Sequence, residues 1–270
     1  MPLSLKKSAI SLCAVAVISA CASSPTGRDQ LLLFSDQEMA SMGAQSFEQI
    51  KQQEKISGDS VLNRYVQCVA RHITAQVPKQ YHQSGWEVVV FDSKQANAFA
   101  LPGGKIGVYT GLLDIAENQH QLASVIGHEV GHVMADHSNE RLTHSQLTGL
   151  TVAAAGVALS AADAENKALW MAALGLGVQV GVMLPYSRTQ ESESDVIGLD
   201  LMAKAGFDPQ GSVDLWRNMA KASNGAPPEF FSTHPSHSTR IADLQANMSR
   251  AQGIAEQARK KGLKPDCRIQ

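Results

Sequence analysis

Residues 128–132 read His-Glu-Val-Gly-His, and the predicted fold depends on this short stretch. On an α-helix, residues four apart differ in direction by only about 40°, so the rings of His128 and His132 can hold one zinc ion. Glu129 follows the first histidine by about 100° and stands beside such an ion, where a general base that activates water belongs. The pattern also occurs by chance, so the surrounding sequence has to support it.

A zinc site needs a third protein ligand, and the sequence offers one further along the chain. Glu191 and Asp195 are four residues apart, so they share one face of a predicted helix. We predict that Glu191 binds zinc and that Asp195 accepts a hydrogen bond from a ligand histidine. An ordinary acidic patch at the start of a helix is the alternative. Glu193 points about 200° away from Glu191 and is predicted not to share its role.

The residues after the second histidine argue against a third histidine ligand. The pattern HExxHxxGxxH requires glycine at 135 and histidine at 138. This chain has Ala135 and Ser138, and His137 is out of register, so it is expected to be structural or on the surface. A carboxylate is therefore favoured as third ligand.

The pattern of apolar residues and helix caps predicts an α+β fold that is mostly helical. Helices are predicted at 35–54, 59–77, 117–137, 187–205, 210–223 and 236–261. Strands are predicted at 86–91, 97–101 and 105–110, with a hairpin or tight bend at Pro102-Gly103-Gly104. With 44% hydrophobic residues, the chain can form one sizeable core, and we place a single domain at 35–262 and a tail at 263–270.

The first residues predict export. Two lysines precede the apolar run 9–20, which is too short to span a bilayer and typical of a signal peptide over residues 1–20. Cys21 follows Ile-Ser-Ala and resembles a lipoprotein box, which implies lipidation and anchoring on the periplasmic side, at the outer membrane. Residues 21–34 would then be a lipidated terminus and tether. An ordinary signal peptide with an incidental cysteine is the alternative.

Charge and cysteine content agree with this compartment. The formal net charge of −2 gives no reason to expect nucleic-acid binding. If Cys13 leaves with the signal peptide and Cys21 carries lipid, Cys68 and Cys267 remain. In an oxidising periplasm we predict a disulfide between them, with two buried free thiols as the alternative.

Residues 147–184 are rich in small and apolar residues and are interrupted at 163–167. Each half is close to the lower limit for spanning a membrane. The favoured interpretation is a pair of helices packed against the core. The alternative is a hairpin that faces lipid or a partner protein.

Four ordered motifs together resemble the HtpX/BepA/LoiP group of gluzincin metallopeptidases, over about residues 35–250. The motifs are NAFALPGGKIGVYTGLL at 97–113, HEVGH at 128–132, PYSRTQESESD at 185–195 and FFSTHPSHSTRI at 231–241. The resemblance implies one Zn²⁺ per chain, bound by His128, His132 and Glu191. It also implies that Glu129 is the catalytic acid–base and that Asp195 orients a ligand histidine. Where the family has Glu-Ala-Asp this chain has Glu193-Ser194-Asp195, which leaves the ligand positions intact.

The same resemblance implies further parts of the site. An edge strand of Asn97, Ala98, Phe99, Ala100 and Leu101 would align substrate by strand addition, which needs no side-chain motif in the substrate. His234 would either steady the oxyanion or occupy the open metal position at rest. Apart from the resemblance, Arg188 and Arg240 are weaker candidates for an active-site role, and we expect them to be ion-pairing scaffold residues.

The sequence therefore predicts a zinc metalloendopeptidase that acts on extended polypeptides. A quality-control role for unfolded or misassembled envelope proteins is implied by the resemblance, with outer-membrane assembly proteins as further partners. The rival function is that of a lipoprotein assembly factor or chaperone with a structural or latent zinc site. Glu129 argues against the rival, because a structural zinc site needs no base.

Overall fold

The computed structural model describes residues 21–82, 85–159, 186–222, 230–234 and 239–269. The predicted signal peptide and residues 160–185 of the apolar stretch lie outside the described residues, so both interpretations of that stretch stay open. Among the described residues, no helix combines the length and apolar character needed to cross a bilayer.

The described ranges form an α+β fold with mostly helical content, as predicted. The main helices are α1 Asp36–Gln53, α2 Ser60–Thr74, α3 Gln119–Met134, α4 His137–Leu159, α5 Arg188–Lys204, α6 Gln210–Ala222 and α7 Arg240–Lys260. The strands are β1 Cys21–Ser23, β2 Asp29–Leu31, β3 Glu87–Phe91, β4 Ala98–Leu101 and β5 Lys105–Tyr109. Short helical turns lie at Lys79–Tyr81, Thr110–Leu113 and Phe230–Thr233.

A three-stranded sheet with the order β3-β5-β4 precedes α3. Strand β3 is parallel to β5, with Glu87 opposite Lys105, and β4 is antiparallel to β5, with Leu101 opposite Lys105. The predicted hairpin is confirmed, and its turn contains Gly103 at φ 82° and Gly104 at φ 74°. This left-handed region is open to glycine at little cost. The hairpin places β4 at the sheet edge.

Helices α3 and α5 lie backbone against backbone in the core, and glycine makes this possible. A Cβ atom on Gly131 would lie 2.7 Å from Ser194 Oγ, and one on Gly198 would lie 2.6 Å from the backbone nitrogen of His128. A Cβ on Gly127 would lie 2.8 Å from the carbonyl oxygen of Gly198. We call Gly127, Gly131 and Gly198 the glycine seam. The seam brings the residues of α5 directly against those of α3.

Helix α3 ends earlier than the predicted residue 137. It stops at Met134, and Asp136 has φ 51°, a left-handed conformation that Asp tolerates better than most residues. His137 then begins α4. On an unbroken helix His137 would point about 140° away from His132, but the turn brings the two rings together.

Residues 21–31 of the predicted tether form an antiparallel hairpin, with Cys21 opposite Leu31. Pro25 and Gly27, at φ 87°, lie in its turn. The Gln30 side chain donates a 2.6 Å hydrogen bond to the carbonyl oxygen of Ala135, at the end of α3. Part of the predicted tether is therefore folded against the domain, since the Pro and Gly of a linker serve equally well in a hairpin turn.

Cys68 on α2 forms a disulfide with Cys267, with Cα atoms 5.7 Å apart and a sequence separation of 199. The structure thus has the disulfide and not the pair of free thiols. The bond ties the C-terminal tail to the domain. A cross-link over so long a loop restricts the unfolded chain, which stabilises the fold by on the order of 3–5 kcal/mol.

Candidate metal and catalytic site

Four buried side chains bring ligand atoms to one point. They are His128, His132, Glu191 and His234, whose ligand atoms lie within 4.8 Å of one another. His128 Nε2 lies 3.0 Å from His132 Nε2 and 3.2 Å from His234 Nδ1. Glu191 Oε1 lies 3.3 Å from His132 Nε2 and 3.1 Å from His234 Nδ1. The three predicted ligands therefore meet, and His234 joins them.

The spacing of these atoms suits a tetrahedral zinc ion. Donor atoms about 2.0–2.1 Å from a zinc ion stand about 3.3 Å apart at tetrahedral angles. The four distances given above run from 3.0 to 3.3 Å. Imidazole nitrogens and a carboxylate oxygen are donors that zinc prefers. The residues present therefore fit the ion.

Asp195 fixes the tautomer of His128. Its Oδ1 atom lies 2.9 Å from His128 Nδ1. A carboxylate only accepts, so His128 carries its proton on Nδ1 and turns the lone pair of Nε2 toward the other ligands. Burial alone would raise the pKa of Asp195, but the charge of Arg240 and the hydrogen bond from His128 hold that pKa below its ordinary value.

Arg240 is buried between two of the carboxylates of α5, those of Glu191 and Asp195. Its Nε and Nη2 atoms donate to both oxygens of Asp195, at 2.7 and 2.6 Å, and its Nη1 atom donates to Glu191. The guanidinium also lies 4.0 Å from the ring centre of Trp216. A cation here offsets the charge of two buried acids, as expected of an ion-pairing scaffold residue.

His132 is oriented by a different pair of residues. Its Nδ1 atom lies 2.8 Å from His137 Nδ1, and His137 Nε2 lies 3.1 Å from Glu193 Oε2. Because Glu193 only accepts, His137 donates from Nε2 and accepts at Nδ1 from the N–H of His132. Burial lowers the pKa of His137, which keeps this ring neutral. The lone pair of His132 Nε2 therefore faces the other ligands.

The role of His137 and Glu193 in orienting His132 was not predicted from the sequence. The missing signal was Asp136, whose left-handed backbone ends α3 and returns His137 to the site. An Asp at a helix end tolerates the left-handed conformation, but the presence of one Asp in the sequence does not predict it. As predicted, Glu193 is not among the ligand atoms; its position behind His137 could not be anticipated.

The aromatic ring of Tyr186 lies flat on His132. The ring centres are 3.7 Å apart, with an angle of 20° between the planes, and the guanidinium of Arg141 lies 3.6 Å from the centre of the Tyr186 ring. Burial raises the pKa of Tyr186, so its hydroxyl stays protonated. The stack restrains the plane of the ligand ring.

Glu129 lies beside the four ligand atoms and is almost fully buried. Its Oε1 atom is 3.3 Å from His234 Nε2, and has no hydrogen-bond partner among the residues that the structure describes. Burial raises the pKa of Glu129 above its ordinary value. The carboxylate is thus placed where the sequence predicted a base.

The predicted substrate strand runs next to this base. Asn97 precedes β4, and the backbone N–H of Ala100 donates to the Glu129 carboxylate. The residues of β4 are at most 9% exposed, so in this structure the strand is covered. The role of β4 in substrate binding stays a prediction.

His234 is presented by the short turn Phe230–Thr233. Its ring stacks on Phe230 with centres 4.3 Å apart, and its backbone N–H donates to the carbonyl oxygen of Phe230. The turn places Nδ1 among the ligand atoms and Nε2 toward Glu129. This position suits the resting fourth donor that the resemblance implied.

Several known proteins are similar in sequence to much of this chain. It is 36% identical to the mitochondrial metalloendopeptidase OMA1 of Schizosaccharomyces pombe, over 62% of this chain and 48% of that protein. It is 33% identical to the mitochondrial metalloendopeptidase OMA1 of Bos taurus, over 86% of this chain and 46% of that protein. It is 29% identical to the beta-barrel assembly-enhancing protease of Yersinia pestis, over 78% of this chain and 43% of that protein.

The chain spans about half the length of these curated relatives. A match to the model of peptidase family M48 covers residues 60–248, which include all four ligand residues, Glu129 and Asp195. This range is well over half of the chain's 270 residues. The chain therefore belongs to peptidase family M48, a family of zinc metallopeptidases.

Proposed function

We propose that this chain is a zinc-dependent endopeptidase that cleaves extended polypeptides. The observation that carries the proposal is the pairing of a tetrahedral donor set with Glu129, a buried carboxylate that has an oxygen without a hydrogen-bond partner among the described residues. A zinc site that only supports the fold needs four ligands and no such base. Zinc-dependent hydrolysis of a peptide uses both a metal site and a general base.

The described residues supply the proton transfers of hydrolysis. When bound here, zinc supplies a Lewis acid that polarises a peptide carbonyl and lowers the pKa of water. Glu129 takes the proton of the attacking water on Oε1 and later delivers it to the nitrogen of the leaving amine. The raised pKa of Glu129 favours the first transfer, because a carboxylate with a higher pKa is a stronger base. Asp195 and His137 meanwhile hold the two ligand histidines in the required tautomers.

Extended, unfolded chains are the proposed substrates. A polypeptide that adds to the edge of β4 is recognised through its backbone, independently of its side chains. The bond between Ala100 and Glu129 ties that edge to the base. Since β4 is covered, substrate entry requires the covering chain to move. The Phe230–Thr233 turn is one part that would move, because the N–H of Phe230 donates to the carbonyl oxygen of Ala96, just before β4.

The finer proposal is quality control of envelope proteins by a chain lipidated at Cys21, after removal of residues 1–20, on the periplasmic side of the outer membrane. It is supported by the signal-like start and the Ile-Ser-Ala-Cys motif. The Cys68–Cys267 disulfide suits an oxidising compartment. The similarity to a protease named for β-barrel assembly supports envelope substrates, whereas the OMA1 relatives are mitochondrial proteins.

One preparation of the full-length chain, expressed in a Gram-negative host, tests both parts of this proposal. We expect the chain in the membrane fraction and the Cys21→Ala variant outside it. We expect the purified chain to cleave unfolded outer-membrane protein, to spare the same protein folded in detergent, to stop with a chelator and to resume with zinc. Zinc-loaded chain that cleaves neither form would refute the peptidase, and unchanged fractionation of Cys21→Ala would refute the anchor alone.

Replacing His234 with Ala is expected to increase cleavage. His234 Nδ1 fills the fourth donor position, and a hydrolytic site needs that position open to water. If the closed arrangement holds about nine molecules in ten, its removal raises the rate about tenfold. Initial rates on an unfolded substrate measure the effect, with His144→Ala as the control. A fall of about 10²–10³ would instead assign His234 to the oxyanion.

A further inference from the structure

We propose that the amino-terminal hairpin, Cys21–Leu31, is a positioning element of the metal site. It acts on His132 through Glu193 and His137. The hairpin lies outside residues 60–248, which match the family. The inference rests on the proposed zinc site and adds a part of the chain to it.

The hairpin supplies most of the hydrogen bonds that hold Glu193. Arg28 Nε donates to Glu193 Oε2 at 2.7 Å, and the hydroxyls of Ser24 and Thr26 donate to Glu193 Oε1. The fourth bond is the one from His137 Nε2. Both oxygens of a carboxylate whose side chain is 4% exposed are thereby fixed by the turn of the hairpin.

The hairpin is itself held against three helices. The two Nη atoms of Arg28 donate to the two carboxylate oxygens of Glu140 on α4, at 2.6 and 2.8 Å. Glu140 also accepts from Gln190 of α5 at 2.8 Å. With the bond from Gln30 to the end of α3, the hairpin contacts each helix around His137. A bidentate Arg–carboxylate pair fixes direction as well as distance.

The hairpin influences which ring nitrogen of His132 carries the proton, through the hydrogen bonds of Glu193 and His137. A neutral imidazole carries one proton, and Glu193 keeps the proton of His137 on Nε2. Without a fixed acceptor there, the proton can move to Nδ1 of His137 and face the N–H of His132. His132 can relieve that conflict by moving its own proton to Nε2, the atom predicted to bind zinc. Loss of an outer partner, meaning a residue that orients a metal ligand by hydrogen bonding, typically weakens metal binding by about 10–100-fold.

Substitutions in the full-length chain separate this role from general support of the fold. Arg28→Ala removes the ion pairs, while Thr26→Val removes one donor from an exposed side chain of equal size. His137→Phe removes both ring nitrogens, whereas His137→Gln keeps an acceptor for His132 and a donor for Glu193. Arg250→Ala is the control, because Arg250 pairs with Asp200 of α5 at the exposed surface.

The measurement is the zinc dissociation constant from competition with a chromogenic chelator, with thermal unfolding of the metal-free proteins as a check of folding. We expect Arg28→Ala and His137→Phe to weaken zinc binding by about 10–100-fold, and Thr26→Val by less. His137→Gln and Arg250→Ala should stay near the wild type. The visible spectrum of the cobalt-substituted protein should change in the same order.

Two results would overturn the proposal. One is wild-type zinc affinity in Arg28→Ala and His137→Phe; if either fails to fold, unchanged affinity in Thr26→Val decides against it. The other is equal loss in His137→Gln and His137→Phe, which would mean that packing and not the proton position matters. Failure of the wild type to bind zinc would refute the proposed site itself, which is a different outcome.

Discussion

Replacing Glu129 with Gln should remove most peptide hydrolysis and leave zinc bound. Glutamine has the same size but cannot take a proton from water, and general base catalysis contributes about 10²–10⁴ in rate. Glu129 is not one of the four residues whose ligand atoms meet. The amide oxygen of Gln can still accept from Ala100, so β4 should keep its place.

The measurement for this variant is kcat on an unfolded substrate together with zinc content. Glu256→Gln, the same substitution at an exposed residue of α7, is the control. A Glu129→Gln protein with undiminished kcat would contradict the assignment of the base. A variant that is inactive as a peptidase but fully functional in cells would favour the assembly-factor or chaperone role.

Replacing Glu191 with Gln should have the largest effect on zinc itself. Glu191 provides the anionic donor, within 3.3 Å of both His132 Nε2 and His234 Nδ1, and an amide is a far weaker ligand. We expect zinc affinity to fall by more than the roughly 10–100-fold typical of outer partners, and cleavage to disappear with it. Arg240 keeps its two bonds to Asp195, so the variant should still fold.

Chelator competition and metal analysis of the dialysed protein test this expectation. Glu193→Gln, two residues along the same helix, is the graded comparison, and its loss should stay within the range of an outer partner. Equal losses in the two variants would contradict the distinction between ligand and support. Retention of tight zinc binding by Glu191→Gln would leave the three histidines as the true ligands.

The sequence predicted those parts of the site that depend on the period of one helix. His128 with His132, and Glu191 with Asp195, are pairs four residues apart, and such pairs stay on one face wherever the helix is packed. The start of a helix also depends on residues that are close together in sequence. Ser35 and Glu38, for example, form the predicted capping box. The parallel pairing of β3 with β5 was not predicted, because β4 lies between these strands in the chain and the pattern of one strand does not identify its neighbour.

What the sequence could not show depends on one backbone angle and on packing. His137 reaches His132 only because Asp136 adopts a left-handed conformation, which Asp tolerates but does not require. Glu193 has its role only because the hairpin folds over it, and Ser-Pro-Thr-Gly is as typical of linkers as of turns. Periodicity carries no information about either arrangement.

We expect the glycine seam to hold the two ligand-bearing helices in place before any metal binds. Ligand spacing across α3 and α5 depends on main-chain contact at Gly131 and Gly198, and not on side chains that must reorganise. Zinc fingers acquire their fold when they bind the ion. Here we expect zinc to bind to a preformed site, with little change in heat capacity on binding. Metal-depleted protein would then be a reloadable enzyme precursor and not a denatured chain.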